Sequence, residues 1–143
     1  MIEHHEKIWW QDSWIHGWRR EAGRLTFFVE VHLMKDHPAF EPFDKKKYFA
    51  CYKTALLRVS GLEAIRGLPQ DSHSLTWDEE MEEFEDVGEI QVFDLDPSGR
   101  ALHIETGNAP RCPYPDFDLW IEFGAIELVF EDLERPFRSG TSA

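Results

Sequence analysis

The stretch Leu25-Thr26-Phe27-Phe28-Val29-Glu30-Val31-His32-Leu33-Met34 decides the fold class. Leu25, Phe27, Val29, Val31 and Leu33 alternate with Thr26, Phe28, Glu30, His32 and Met34, the period of two that sends successive side chains to opposite faces of a strand. One of those faces is wholly apolar, so the strand covers a core. Upstream, Trp14 to Arg20 also reads as extended. Glu21-Ala22-Gly23 then supplies a connection short enough for a hairpin, with Gly23 free to take positive φ.

Downstream, Lys35 to Lys47 loses the alternation and holds Pro38 and Pro42, which marks a loop. Tyr48 to Ser60 is a long strand with Phe49, Cys51, Ala55, Leu57 and Val59 on one side and Lys53 as the exception, and Leu62 to Ile65 continues it after a bend at Gly61. Thr76 to Asp86 reads as the one helical segment. Trp77, Met81 and Phe84 fall at i, i+4 and i+7, and Thr76 with Glu79 has the spacing of a capping box. Glu89 to Leu95 and Ala101 to Glu105 flank a Pro-Ser-Gly turn and form a second hairpin. Gly107 to Phe117, with Pro110, Pro113 and Pro115, is a surface loop, and the tail after Leu133 frays.

Leu119 to Glu131 alternates, but with a change of phase. Leu119, Ile121 and Phe123 are apolar at odd positions, then Ile126, Leu128 and Phe130 at even ones. A one-residue slip swaps faces, so a β-bulge or sharp bend is expected at Gly124 and Ala125. Six or seven antiparallel strands with one or two short helices predict a single mainly β domain, a sandwich or strongly curved sheet.

Composition limits the function classes. The 143-residue chain is 42% hydrophobic with eleven Phe and six Trp, enough for one packed core. Its net charge of −13 is unevenly spread. Residues 1 to 60 are near charge balance, while residues 61 to 143 hold five Lys/Arg against twenty Asp/Glu. A surface of that sign repels nucleic acid and attracts cationic partners. Cys51 and Cys112 sit in no metal or redox spacing and read as reduced thiols in a cytoplasmic protein. The N-terminus lacks the apolar core of a secretion signal, and no apolar run approaches a membrane span. A monomer or small homo-oligomer is expected.

The chemistry-bearing candidates fall into three groups. Asp78, Glu79, Glu80, Glu82, Glu83, Glu85 and Asp86 put seven carboxylates within nine residues. With Trp77 they form a candidate surface for a basic protein partner, against the alternative of a solvated face. Trp14, His16 and Trp18 share a strand face by period two and, with His103, make a candidate ligand pocket. The seven histidines show no metal-binding spacing, although His103 and Glu105 lie on one strand face where a neighbouring strand could complete a carboxylate and imidazole site. No metal or cofactor is expected. Nucleophile and phosphate-loop motifs are also missing, and Cys51 lies in an apolar face where a thiol is inert, so no catalytic residue is assigned.

The order Asp12-Ser13-Trp14-Ile15, a hairpin into Leu25 to Val31, and later Gly88-Glu89-Ile90 resembles small uncharacterised bacterial proteins grouped with the immunity proteins of toxin systems. The likeness covers mainly the first third of the chain. It implies a cytoplasmic protein that binds and neutralises a cognate toxin, with no catalytic residues to carry over. Electrostatics adds that the acidic second part suits a basic toxin. The reading is therefore a non-enzymatic, acidic protein-binding protein, with a small-molecule-binding or hydrolytic sandwich as the alternative.

Overall fold

Leu25, Phe27, Val29, Val31 and Leu33 are all within 1% of complete burial, so the alternating stretch is one wall of the core. It forms strand β2 (Arg24–Leu33), and β1 (Ile8–Glu21) precedes it across the turn at Gly23, whose φ is +72°. The computed structural model describes residues 1–46, 50–85, 87–107 and 116–131. Within them the fold is mainly β and antiparallel. The other strands are β3 (Cys51–Ser60), β4 (Ala64–Arg66), β5 (Ser72–His73), β6 (Trp77–Asp78), β7 (Glu83–Phe84), β8 (Gly88–Leu95), β9 (Ala101–Gly107), β10 (Asp118–Glu122) and β11 (Ala125–Phe130). The helical content described is a single 3-10 turn, His5–Lys7. No described helix is long and apolar enough to cross a membrane.

The main sheet runs β11-β3-β2-β1-β8-β9-β10-β4, with β5 added beside β1, and β6 with β7 forms a separate two-stranded hairpin. β10 and β11 are separated in the chain by only Phe123 and Gly124, yet they belong to opposite ends of that order. The sheet must therefore curl until its ends approach. The gap is crossed twice, by Gly61 to Glu63 in one direction and by Phe123 and Gly124 in the other. Gly124 N–H donates to the carbonyls of Ser60 and Gly61 at 3.0 Å, and Glu63 N–H donates to Glu122 O at 2.9 Å. The result is a strongly curved sheet that stops short of a barrel.

This arrangement corrects three expectations, the first being strand number, since the main sheet has nine strands where six or seven are expected. The phase change at Gly124 is not a bulge within one strand but the end of one strand and the start of another on a different neighbour. β10 pairs with β9 and β4, and β11 pairs with β3. Leu119, Ile121, Phe123 and Ile126 nevertheless share one core, and Leu128 packs against it, whereas Phe130, expected on the same face, is exposed at the end of β11. Ala64–Arg66 likewise does not continue β3, because Gly61, at φ +64°, turns the chain toward β10. The expected loop conformation at residues 108–115, the frayed tail after Leu133 and the state of Cys112 lie outside the described residues, as do Tyr48 and Phe49. Cys51 is buried and unbridged.

The helix expected over residues 76 to 86 is also corrected. Asp78 Oδ1 accepts hydrogen bonds from the N–H groups of Glu80 and Met81, and Glu82 has φ +53°, so the acidic run turns back as a hairpin. Trp77 stands directly opposite Phe84, their rings edge-on at 5.0 Å. With Leu56, Phe28 and Leu75 they form a small second core on the outer face of the sheet. Met81, which the helical period would have buried, is 59% exposed. A hairpin also lets carboxylates spread that would repel one another along a helix face.

Candidate functional site

β1 is interrupted twice, and those interruptions place the site. Trp9 pairs with His32 and Trp14 with Glu30, so residues 10 to 13 stand against Val31 alone. The Ser13 hydroxyl fills the irregularity. It donates to Trp9 O at 2.9 Å and accepts from His32 N–H at 3.0 Å. A second bulge follows at His16, since Ile15 pairs with Val29 and Gly17 with Phe28. Gly17 suits this position because a Cβ there would lie 2.5 Å from His73 O.

Each bulge reverses the facing of the residues after it. Trp10, Ile15 and Trp18 all reach the core despite their mixed parity. Trp14 and His16 point the other way. The grouping of Trp14, His16 and Trp18 on one face is thereby corrected: Trp18 is 1% exposed, and its indole N–H donates to Gln70 O at 2.9 Å. His103 lies on β9, in the lining of a different cavity.

On the outer face, Asp12, Trp14, His16, Glu30, Tyr52, Glu83, Phe84 and Glu89 line a cleft of about 290 Å³. Four of the eight are carboxylates and four carry rings. His16 is 3% exposed, with Nε2 3.9 Å from Glu30 Oε1 and its ring tilted against Phe84 at 5.7 Å. Asp12 is held by two partners. Tyr52 Oη donates to Asp12 Oδ2 at 2.8 Å, and His32 Nδ1 lies 2.8 Å from the same oxygen. Burial and the hydrogen bond to Asp12 push the Tyr52 phenol well above its ordinary value, so it stays a neutral donor. The cleft therefore carries negative charge on a fixed aromatic frame.

Glu83 and Phe84 belong to the acidic hairpin, which makes the hairpin one rim of this cleft. Of the predicted partner-binding residues, Trp77 docks the hairpin, Asp78 shapes its turn, and Glu79, Glu80, Glu82 and Glu85 are exposed along it. Asp86 lies outside the described residues. Sequence reasoning did not single out Asp12, Glu30, Tyr52 or Glu89 as site residues. They come from β1, β2, β3 and β8, and only the strand order brings them together. Outward-facing carboxylates on otherwise well-packed strands were the available signal.

A second cavity, of about 560 Å³, is lined by residues of β4, β8, β9 and β10 and by the turn after β8, including Arg66, Asp94, His103 and Trp120. No protein-family model, curated protein or solved structure matches the chain.

Proposed function

We propose that this is a protein-binding protein that captures a basic partner, inserting the partner's Lys or Arg side chain into the cleft between Trp14, Tyr52 and Phe84. The observation that carries the reading is continuity: four carboxylates converge on an aromatic cleft, and one of them, Glu83, also belongs to the exposed acidic hairpin. Aromatic faces and carboxylates together suit a guanidinium or ammonium head on an apolar stem. The hairpin supplies the long-range attraction that speeds encounter.

Size argues against the small-molecule alternative at this cleft. At about 290 Å³ it lies at the bottom of the range of roughly 300–1,000 Å³ for ligand pockets, and it suits one side chain better than a whole metabolite. A toxin-neutralising immunity role is the specific form of this proposal. Asp12-Ser13-Trp14-Ile15 and Gly88-Glu89-Ile90, the segments that carry the resemblance, lie side by side, with Trp14 opposite Glu89 and Ile15 opposite Gly88.

The test is a pull-down from the native host at low and high salt, followed by stopped-flow binding of the recovered partner. Reversing Glu79, Glu80, Glu82 and Glu83 to Lys is expected to slow association at least ~10-fold at low salt while circular dichroism shows the fold retained. Glu30→Gln should mainly speed dissociation, because Glu30 lies within the cleft. Unchanged rates with every recovered partner would overturn the proposal.

A further inference from the structure

We infer that the outer face of β9 and β10 carries a binding site for one borderline transition-metal dication, built from His103, Glu105 and Asp118. The site is separate from the acidic cleft and does not depend on the function proposed for it. His103 and Glu105 are two residues apart on β9 and so share a face. Asp118 is directly opposite Glu105, and Trp120 directly opposite His103. One ligand atom from each of His103, Glu105 and Asp118 lies within 4.8 Å of the others. That separation is small enough for a single ion to contact all three after modest side-chain movement.

A second feature makes this more than a chance grouping of exposed acids. The His103 ring lies flat on Trp120, centroids 3.7 Å apart and planes 7° apart, and Arg66 packs over the same indole at 5.4 Å. The stack fixes the imidazole plane and aims Nε2 at Asp118, with which it is hydrogen-bonded. The orientation of one of the three donors is thus already set by packing. An ion would replace the hydrogen between Nε2 and the Asp118 carboxylate: a neutral ring carries that proton on Nδ1 instead, and a protonated ring releases it to solvent, so that a neutral imidazole binds in either case.

The donor set of one imidazole nitrogen and two carboxylate oxygens selects the class of ion. Imidazole suits Zn²⁺, Co²⁺, Ni²⁺ and Cu²⁺, whereas Mg²⁺ and Ca²⁺ prefer all-oxygen sites. Two carboxylates beside a neutral imidazole give a charge of −2, which a dication balances. The remaining coordination positions face solvent, so water would complete the shell.

The experiment uses the full chain purified without a histidine tag and titrated with Zn²⁺ by calorimetry and with Co²⁺ by visible absorption. One ion per chain is expected, with quenching of tryptophan fluorescence by Co²⁺ that Trp120→Phe removes. His103→Gln and Asp118→Asn should each weaken binding at least ~10-fold. Both residues lie on the outer face of the sheet, and circular dichroism verifies that the variants fold. His4→Gln with His5→Gln should leave binding unchanged. Absence of one-to-one binding at ~100 µM metal, binding that survives both site variants, or binding lost with His4 and His5 would overturn the inference.

Discussion

His37 shows how a single buried side chain ties stability to pH. It is 5% exposed, its Nδ1 accepts from Ala39 N–H at 2.9 Å, and its ring meets those of His4 and Phe130 edge-on. The hydrogen bond assigns the ring proton to Nε2, which has no hydrogen-bond partner among the described residues. Burial, then the positive charges of His4 and Lys7, lower its pKa below the usual 6.5. Burial also lowers those of His5 and His73. In each case the unfolded chain binds protons more readily than the folded one. The stabilising effect is complete above about pH 6.5 and is lost as pH falls toward the depressed folded values. The denaturation midpoint should therefore drop between about pH 7.5 and about pH 5.5. His37→Gln should flatten part of that drop, and titration of the His37 ring by NMR should place its midpoint below that of an exposed histidine.

Among the elements, the decisive one is the corner at Phe123 and Gly124. Phe123 is 1% exposed in the core, and its N–H donates to Arg100 O at 2.9 Å, so it ties the end of β10 to the turn before β9. Phe123→Ala should cost roughly 3–5 kcal/mol, read as a lower midpoint in denaturant unfolding with little change of slope. Loss below about 1 kcal/mol would mean that the corner is not packed as described.

The same corner marks where the sequence was legible and where it was not. The faces of β2 and the hairpin β8–β9 could be read directly, because alternation records which side of a strand is dry and a Pro-Gly turn records reversal. Alternation does not record which strand lies alongside. Leu119 to Phe130 therefore read as one bulged strand rather than two strands on distant neighbours. Trp77 and Phe84, seven apart, fit two helical turns or the two arms of a hairpin equally well, and the turn made by Asp78 and Glu82 decides between them. The bulges at residues 10–13 and His16 leave no mark in the pattern, and parity alone places Trp18 with Trp14. The cleft was the least legible feature because its carboxylates come from strands far apart in the chain.

At the scale of the whole molecule, a net charge of −13 on 143 residues opposes the compact state, and Asp12, Glu30, Glu83 and Glu89 concentrate part of that charge around one cleft. Counter-ions relieve such repulsion. Raising ionic strength from about 0.01 M to about 0.5 M, where the screening length falls from roughly 30 Å to about 4 Å, should raise the thermal midpoint. The same change should weaken capture of a basic partner. Opposite responses of stability and binding to one variable would separate the general burden of the charge from its use at the cleft. Glu30→Gln should raise the midpoint at low salt and have little effect at high salt.

The crossing of the two connections at Gly61 and Gly124 bears finally on the order of assembly. The hairpins β1–β2 and β8–β9 close over short stretches of chain and can form early. The corner can form only after the sheet has curled enough to bring its margins together, which makes its contacts late ones. Phe123→Ala should consequently leave the refolding rate nearly unchanged and act through faster unfolding. The native state's lifetime is then governed at a seam two residues long, where the sheet nearly meets itself.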